Sequence, residues 1–110
     1  MEINWTDFEK IDLRVGTIIE AKEFPKARKA AYQLTIDFGD LGIKNSSAQI
    51  TDLYSIEDLV GMQITAIVNF PPKQIANFFS ECLVLGVVDE KGHVTLLSPN
   101  KKSLNGLKIS

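Results

Sequence analysis

The sequence has 110 residues, of which 45% are apolar and 24% are charged, and its formal net charge is −2. This mixture is typical of one folded globular domain, residues 1–110, and argues against a disordered chain. No apolar run reaches about eighteen residues, which argues against a membrane span. The negative charge means that any surface for a polyanionic ligand must be local, with acidic residues kept elsewhere.

A short helix and three strands are predicted in the first half of the chain. Thr6-Asp7-Phe8-Glu9 matches a capping box, which indicates a helix just after it. β-branched residues then indicate a first strand, and Pro25 ends it. The alternation of apolar and polar side chains from Tyr32 to Phe38 predicts a strand with one buried face. The predicted bounds are 7–11 for the helix and 14–22, 31–38 and 43–50 for the strands.

A second helix and further strands are predicted in the second half. Ser55 is a plausible helix cap and Gly61 a plausible stop. The near-continuous apolar run over Glu81–Val88 predicts a strand buried on both faces, and a short strand at Val94–Leu97 is expected to pair back after it. The predicted bounds are 55–60 for the helix and 63–69, 81–88 and 94–97 for the strands.

The order of these elements predicts the fold class. Three strands, a short helix and two main strands form the order of a five-stranded OB-fold Greek-key barrel, an all-β fold, here with an N-terminal helix and a C-terminal extension. A sandwich is the alternative, and the helix between the third and fourth strands favours the barrel. The tail over Ser98–Ser110 carries Leu104, Leu107 and Ile109, which we expect to pack on the barrel base or on a partner subunit.

Few residues are available for catalysis or metal binding. Cys82 is the only cysteine and His93 the only histidine, whereas a structural zinc site needs about four such ligands. His93 falls in a predicted hairpin tip, Asp89–His93, which favours an exposed turn residue over a catalytic one. We therefore expect no catalytic residue, metal or cofactor. The lone thiol and the absence of a signal-peptide pattern at Met1–Trp5 predict a cytoplasmic location.

Two polar segments could bind a ligand in the first half of the barrel. Lys26 and Arg28 lie in the loop between the first two strands, a usual site of nucleic-acid contacts in OB folds, although a solvated charge run is the alternative. Lys44 and Ser47 lie in the polar third strand, whose side chains can bond phosphate, sugar or base edges. An ordinary exposed strand face is equally compatible with that segment.

Two further segments lie beyond the double proline. Asn69 and Lys73 flank Pro71-Pro72, whose rigidity would present Lys73 at low entropic cost, unless the segment is only a barrel corner. Ser80 and Glu81 precede the last long strand. Glutamate only accepts hydrogen bonds, so Glu81 suits a base or ribose donor rather than a phosphate, and a bond to a neighbouring loop is the alternative.

These segments occur together, in this order, in one known family. The chain resembles the stand-alone tRNA-binding domain that is also appended to bacterial methionyl- and phenylalanyl-tRNA synthetases, and within it an export-related chaperone subgroup. The similar segments are Asp12–Ile18, Pro25 with Ala27, Ser46–Thr51, Tyr54 with Leu59–Gly61, Val68–Lys73 and Ser80–Leu85.

The resemblance implies an OB barrel that forms a homodimer through elements outside the barrel core and binds the outer corner of folded tRNA. By position, Ser47, Asn69, Ser80 and Glu81 would line the RNA site, and Lys73 would supply charge. The chaperone subgroup implies an apolar groove for unfolded or export-bound polypeptides.

The chain departs from the family pattern after the double proline, where basic residues are sparse. Asn77 stands in place of a common glycine and is expected to take a left-handed conformation. Phe78 and Phe79 are expected to form an exposed pair that, with Phe70, could stack on bases or hold an apolar peptide. A tRNA-binding module is thus the leading hypothesis, a polypeptide-binding chaperone is the alternative, the two can coexist, and an enzyme comes third.

Overall fold

The computed structural model describes all 110 residues, and its first element is the short helix α1, Trp5–Glu9. Its cap is Asn4, whose side chain accepts a hydrogen bond from the Asp7 amide at 2.8 Å while the Asp7 carboxylate accepts from the Asn4 amide. The predicted cap at Thr6 is therefore wrong by two residues. Both positions match the capping-box pattern, and asparagine is at least as good an N-cap as threonine.

The remaining elements are nine strands and a second helix. The strands are β1 Leu13–Glu23, β2 Tyr32–Asp37, β3 Ile43–Ala48, β4 Gln63–Ile67, β5 Lys73–Ile75, β6 Phe78–Ser80, β7 Leu83–Val84, β8 Gly86–Val88 and β9 Val94–Leu96, and α2 is Ile56–Leu59. An antiparallel sheet in the order β3-β2-β1-β4-β7 forms a nearly closed five-stranded barrel, with α2 between β3 and β4 in the chain. This arrangement confirms the predicted OB-type barrel.

The long strand β1 joins two halves of the barrel. Its first residues pair with β4, and from Thr17 onwards it pairs with β2. A bulge at Ile19 shifts the register against β2 and bends the strand, which helps a sheet to curl. Gly16 is required at this crowded point, because a Cβ there would lie 2.6 Å from Ile36 Cγ2.

The core fills the inside of the barrel. Ile18, Leu34, Ile36 and Phe38 are at most 1% exposed, and Leu59 of α2 closes one end. The alternating burial of β2 confirms the pattern expected from its sequence. The cap at Ser55 is also confirmed, since its hydroxyl accepts from the Asp58 amide.

The prediction of one long strand over Glu81–Val88, buried on both faces, is wrong. The segment divides into β7, the last strand of the barrel, and β8, which forms a separate hairpin with β9. Leu83, Val87 and Val88 are 47%, 58% and 66% exposed. A continuous apolar run carries no sign of where the chain turns out of the barrel.

The C-terminal segment runs back along the start of β1. The amides of Gly106 and Ile109 donate to Val15 and Leu13, and the Val15 amide donates to Leu107. Ile109 is partly buried, whereas Leu104 and Leu107 remain 77% and 50% exposed, so the first of the two expected packings, on the barrel base, is wrong for these two leucines. Their packing on a partner subunit stays a prediction.

Candidate nucleic-acid interface

A groove of about 500 Å³ lies between three parts of the chain, and we call it the basic groove. One wall is the loop between β1 and β2, the floor is the end of β3, and the other wall is the hairpin β5–β6. The residues that line it are Lys26, Ala27, Arg28, Lys29, Ala31, Ser47, Gln49, Lys73, Gln74, Ile75 and Ala76. The fold thus brings together Lys26, Arg28, Ser47 and Lys73 of the candidates named from the sequence.

The charge of the basic groove is concentrated and uncompensated. Lys26, Arg28, Lys29 and Lys73 are all exposed, and none has an acidic partner within 4.0 Å. The acidic residues that give the protein its net charge of −2 form their ion pairs elsewhere, for example Asp12 with Arg14. Four unpaired cations on one concave surface create a local positive potential.

The hairpin β5–β6 is an element that the sequence analysis did not predict. Its two-residue turn is Ala76-Asn77, and the residue in the left-handed region is Ala76, with φ of 54°, rather than Asn77 as expected. Phe78 packs edge-to-face on the buried Phe24, with ring centroids 5.4 Å apart. This contact fixes the hairpin to the end of β1, beside the basic loop.

The expected exposed pair of phenylalanines does not exist, because neighbouring residues of a strand point to opposite faces. Phe78 is partly buried against Phe24, whereas Phe79 is 54% exposed. Phe70, 52% exposed, lines a separate small cleft of about 210 Å³ together with Pro71, Lys73, Ser80, Cys82 and Leu83.

Three of the predicted polar site residues have their side chains engaged by the backbone. Asn69 accepts from the Asp12 amide at 3.0 Å and donates to the Lys10 carbonyl at 2.7 Å, so it joins β4 to the segment before β1. The Ser80 hydroxyl accepts from the Ser47 amide, and Glu81 Oε1 accepts from the Asn45 amide.

Lys44 lies away from the basic groove. It follows the alternation of β3 and shares a face with the buried Ser46 and Ala48, whereas Ser47 lies on the other face. Three further polar residues of the groove lie in the candidate segments but were not chosen as individual site residues: Lys29, Gln49 and Gln74. Each is next or next but one to a residue that was named, which was the available signal.

Neither Cys82 nor His93 contributes to the basic groove. Cys82 is 5% exposed, and burial raises the pKa of its thiol to about 11. His93 ends the turn of the β8–β9 hairpin, where the Asp89 carboxylate accepts from its amide at 2.9 Å, and the predicted hairpin is confirmed. No group of three or more His, Cys, Asp or Glu residues is placed to hold a metal ion. Neither helix has the length and apolar composition to cross a membrane.

The sequence profile of the family described as "Putative tRNA binding domain" matches residues 13–108. The chain belongs to this family. Crystal structures of the chaperone CsaA from Bacillus anthracis str. Ames and from Picrophilus torridus are similar, with identities of 57% and 54% and TM-scores of 0.95 and 0.92. The first comparison covers 100% of both chains, and the second covers 99% of this chain and 100% of the other.

Longer relatives of the tRNA-binding domain family carry the same domain as one part. The methionine–tRNA ligase of Methanocaldococcus jannaschii is 37% identical over 98% of this chain. The match takes up only 16% of that relative's length, so the chain corresponds to about one sixth of the ligase. The family predicted from the sequence is thereby confirmed.

Proposed function

We propose that this chain is a tRNA-binding module that acts without catalysis and holds the RNA in the basic groove. The observation that carries the proposal is the set of four unpaired cations around one groove, in a protein whose net charge is −2. Membership of the tRNA-binding domain family supports the same ligand.

The groove is suited to the phosphate backbone rather than to bases. Lysine and arginine bind phosphates, while Ser47, Gln49 and Gln74 can bond phosphate or sugar oxygens. No aromatic side chain lines the groove, so it lacks a stacking platform for unpaired bases. These features favour recognition of a folded RNA by shape and backbone, as at the outer corner of tRNA.

The test is the effect of single cations on tRNA affinity. Each phosphate contact on a duplex makes log affinity fall by about 0.9 per unit of log salt concentration. At 0.15 M salt one such contact is therefore worth about fivefold in affinity relative to 1 M salt, and we expect Lys73→Ala to weaken binding by about this factor. Lys91→Ala makes the same charge change in the β8–β9 turn, outside the groove, and should change affinity less than twofold. Equal losses in both variants would show that general charge, not the groove, governs binding.

A second function, binding of unfolded polypeptides, is favoured by a different observation. The exposed Phe70 and Leu83 line the small cleft beside Lys73, and the similar crystal structures are described as chaperones. We expect Phe70→Ser to weaken suppression of aggregation of a denatured client and to leave tRNA affinity unchanged. Phe79→Ser is the matched control on the exposed face of the hairpin. If Phe70→Ser suppresses aggregation as well as the unaltered protein does, the cleft is not the client site.

The homodimer and the cytoplasmic location remain proposals. Exposed apolar side chains lie near both ends of the chain, at Ile3, Trp5 and Leu104, with exposures of 69%, 82% and 77%. Such residues are what a subunit interface would cover. Light scattering at micromolar concentration should give twice the mass of one chain, and a single-chain mass would contradict the dimer.

A further inference from the structure

The strand β3 is the end of the sheet, and its free edge is closed by two side chains and one backbone hydrogen bond instead of by a paired strand. In an antiparallel pair, only every second residue of a strand directs its backbone N–H and C=O groups towards the neighbouring strand. Asn45 and Ser47 direct theirs away from β2, towards residues 80 and 81. Glu81 Oε1 accepts from the Asn45 amide at 2.9 Å, and the Glu81 amide donates to the Asn45 carbonyl at 2.8 Å. The Ser80 hydroxyl accepts from the Ser47 amide at 3.1 Å.

Further contacts fix the same two segments, which we call the seam: residues 45–47 against residues 80–82. The hydroxyls of Ser46 and Ser80 both donate to the Cys82 carbonyl, at 3.0 and 3.4 Å. The Ser80 hydroxyl therefore accepts on one side and donates on the other, which leaves it one rotational position. The seam closes the barrel where no continuous strand pair does.

The seam also determines where one wall of the basic groove stands. Ser80 is the last residue of β6, and it pairs directly with Lys73 across the hairpin. Lys73 is the only groove cation outside the loop between β1 and β2. The hydrogen bond that the Ser80 hydroxyl accepts from the Ser47 amide thus fixes Lys73 relative to the β3 floor of the groove.

The charge of Glu81 argues in the same direction. A carboxylate only accepts hydrogen bonds and repels a phosphate, so it is unsuited to contact an RNA backbone. The same carboxylate is well suited to accept a hydrogen bond from a backbone amide at a strand edge, as it does from Asn45. We propose that Ser80 and Glu81 are positioning residues, which hold hairpin β5–β6 against β3 so that Lys73 faces the basic groove. This inference rests on the proposed function for its consequence in RNA binding.

Amide hydrogen exchange of the full chain without RNA tests the seam directly. In Glu81→Ala we expect exchange of the Asn45 amide to accelerate about five- to tenfold, because it loses its acceptor. Glu81→Gln keeps an acceptor oxygen and should retain protection. Ser80→Ala should expose the Ser47 amide, and Ser80→Thr should not. An unchanged Leu34 amide in the core distinguishes a local effect from unfolding.

A double-mutant cycle with tRNA tests the consequence. Ser80→Ala should weaken binding severalfold in the unaltered protein but less than twofold once Lys73→Ala is present, because both act through the same cation. If Glu81→Gln weakens tRNA binding as much as Glu81→Ala while the Asn45 amide stays protected, Glu81 contacts RNA and the proposal is overturned. If the protein binds no tRNA, the proposed function fails, and the exchange rates alone still decide whether the seam exists.

Discussion

Two clefts of similar volume lie on this small protein. In one of them the polar side chains bond one another, whereas in the other the charged side chains have no partner. The basic groove measures about 500 Å³, and a second cleft beside the C-terminal segment, which we call the C-terminal cleft, measures about 530 Å³. In the C-terminal cleft Asn105 accepts from Thr17 at 2.7 Å and from Gln63 at 3.2 Å, and Gln63 also bonds the backbone of Ser103.

The difference between the two clefts teaches that volume alone does not identify a binding site. Side chains that bond one another stabilise the fold and have little left to offer a ligand. Side chains that carry charge and have no partner, like Lys26 and Lys73, are free to meet an anion. We therefore propose that the basic groove binds the ligand and that the C-terminal cleft contributes to stability.

The largest expected effect comes from removing three groove cations together. Lys26→Ala, Arg28→Ala and Lys73→Ala combined should lower tRNA affinity about 100-fold at 0.15 M salt, the product of three losses of about fivefold. Fluorescence anisotropy with labelled tRNA measures this. Lys102→Ala, in the C-terminal cleft, should change affinity less than twofold. A comparable loss in Lys102→Ala would break the contrast between the clefts.

The C-terminal cleft should instead respond in stability. Asn105→Ala removes the shared acceptor of Thr17 and Gln63, so we expect the free energy of unfolding to fall by about 1–3 kcal/mol, with tRNA affinity unchanged. Urea denaturation measures the loss. Asn100→Ala, at an exposed asparagine of the same segment, is the control and should be nearly neutral. Equal stability of the two variants would contradict a structural role for the cleft.

A smaller effect is expected at high pH from the thiol of Cys82, a residue of the seam. Burial raises the pKa of Cys82 from its ordinary value of 9.0 to about 11 in the folded protein. The unfolded chain therefore loses this proton first, and stability should fall between pH 9 and 11 by up to about 1.4 kcal/mol per pH unit more than in Cys82→Ala. Urea unfolding of both proteins across this range measures the difference. Parallel pH curves would show that the seam does not bury the thiol.

The smallest effect is expected at Lys44, which lies on the opposite face of β3 from Ser47. Lys44→Ala should lower tRNA affinity less than twofold, whereas Lys26→Ala should lower it about fivefold. The same anisotropy titration compares them. A fivefold loss at Lys44 would mean that the RNA site extends over the other face of the strand.

Sequence patterns predicted what depends on neighbouring residues. The alternation in β2 and the cap at Ser55 need only local information, and both are confirmed. The hairpin β5–β6 was not predicted because three-residue strands are too short to show a period of two. The break after Val84 was missed because the apolar residues inside the barrel and those beyond it form one continuous run in the sequence.

The roles of individual site residues depend on partners far away in the chain. Glu81 bonds Asn45, 36 residues earlier, and Asn69 bonds Asp12, 57 residues earlier. The family resemblance marked these side chains as functional without indicating what they touch. Only the folded chain shows that they bond backbone groups, while the cations nearby remain unpaired.

The salt dependence of tRNA affinity tests the central claim most directly. With four cations on phosphates, a plot of log affinity against log salt concentration should fall with a slope of about −3.6. A slope near zero would contradict a phosphate-binding groove.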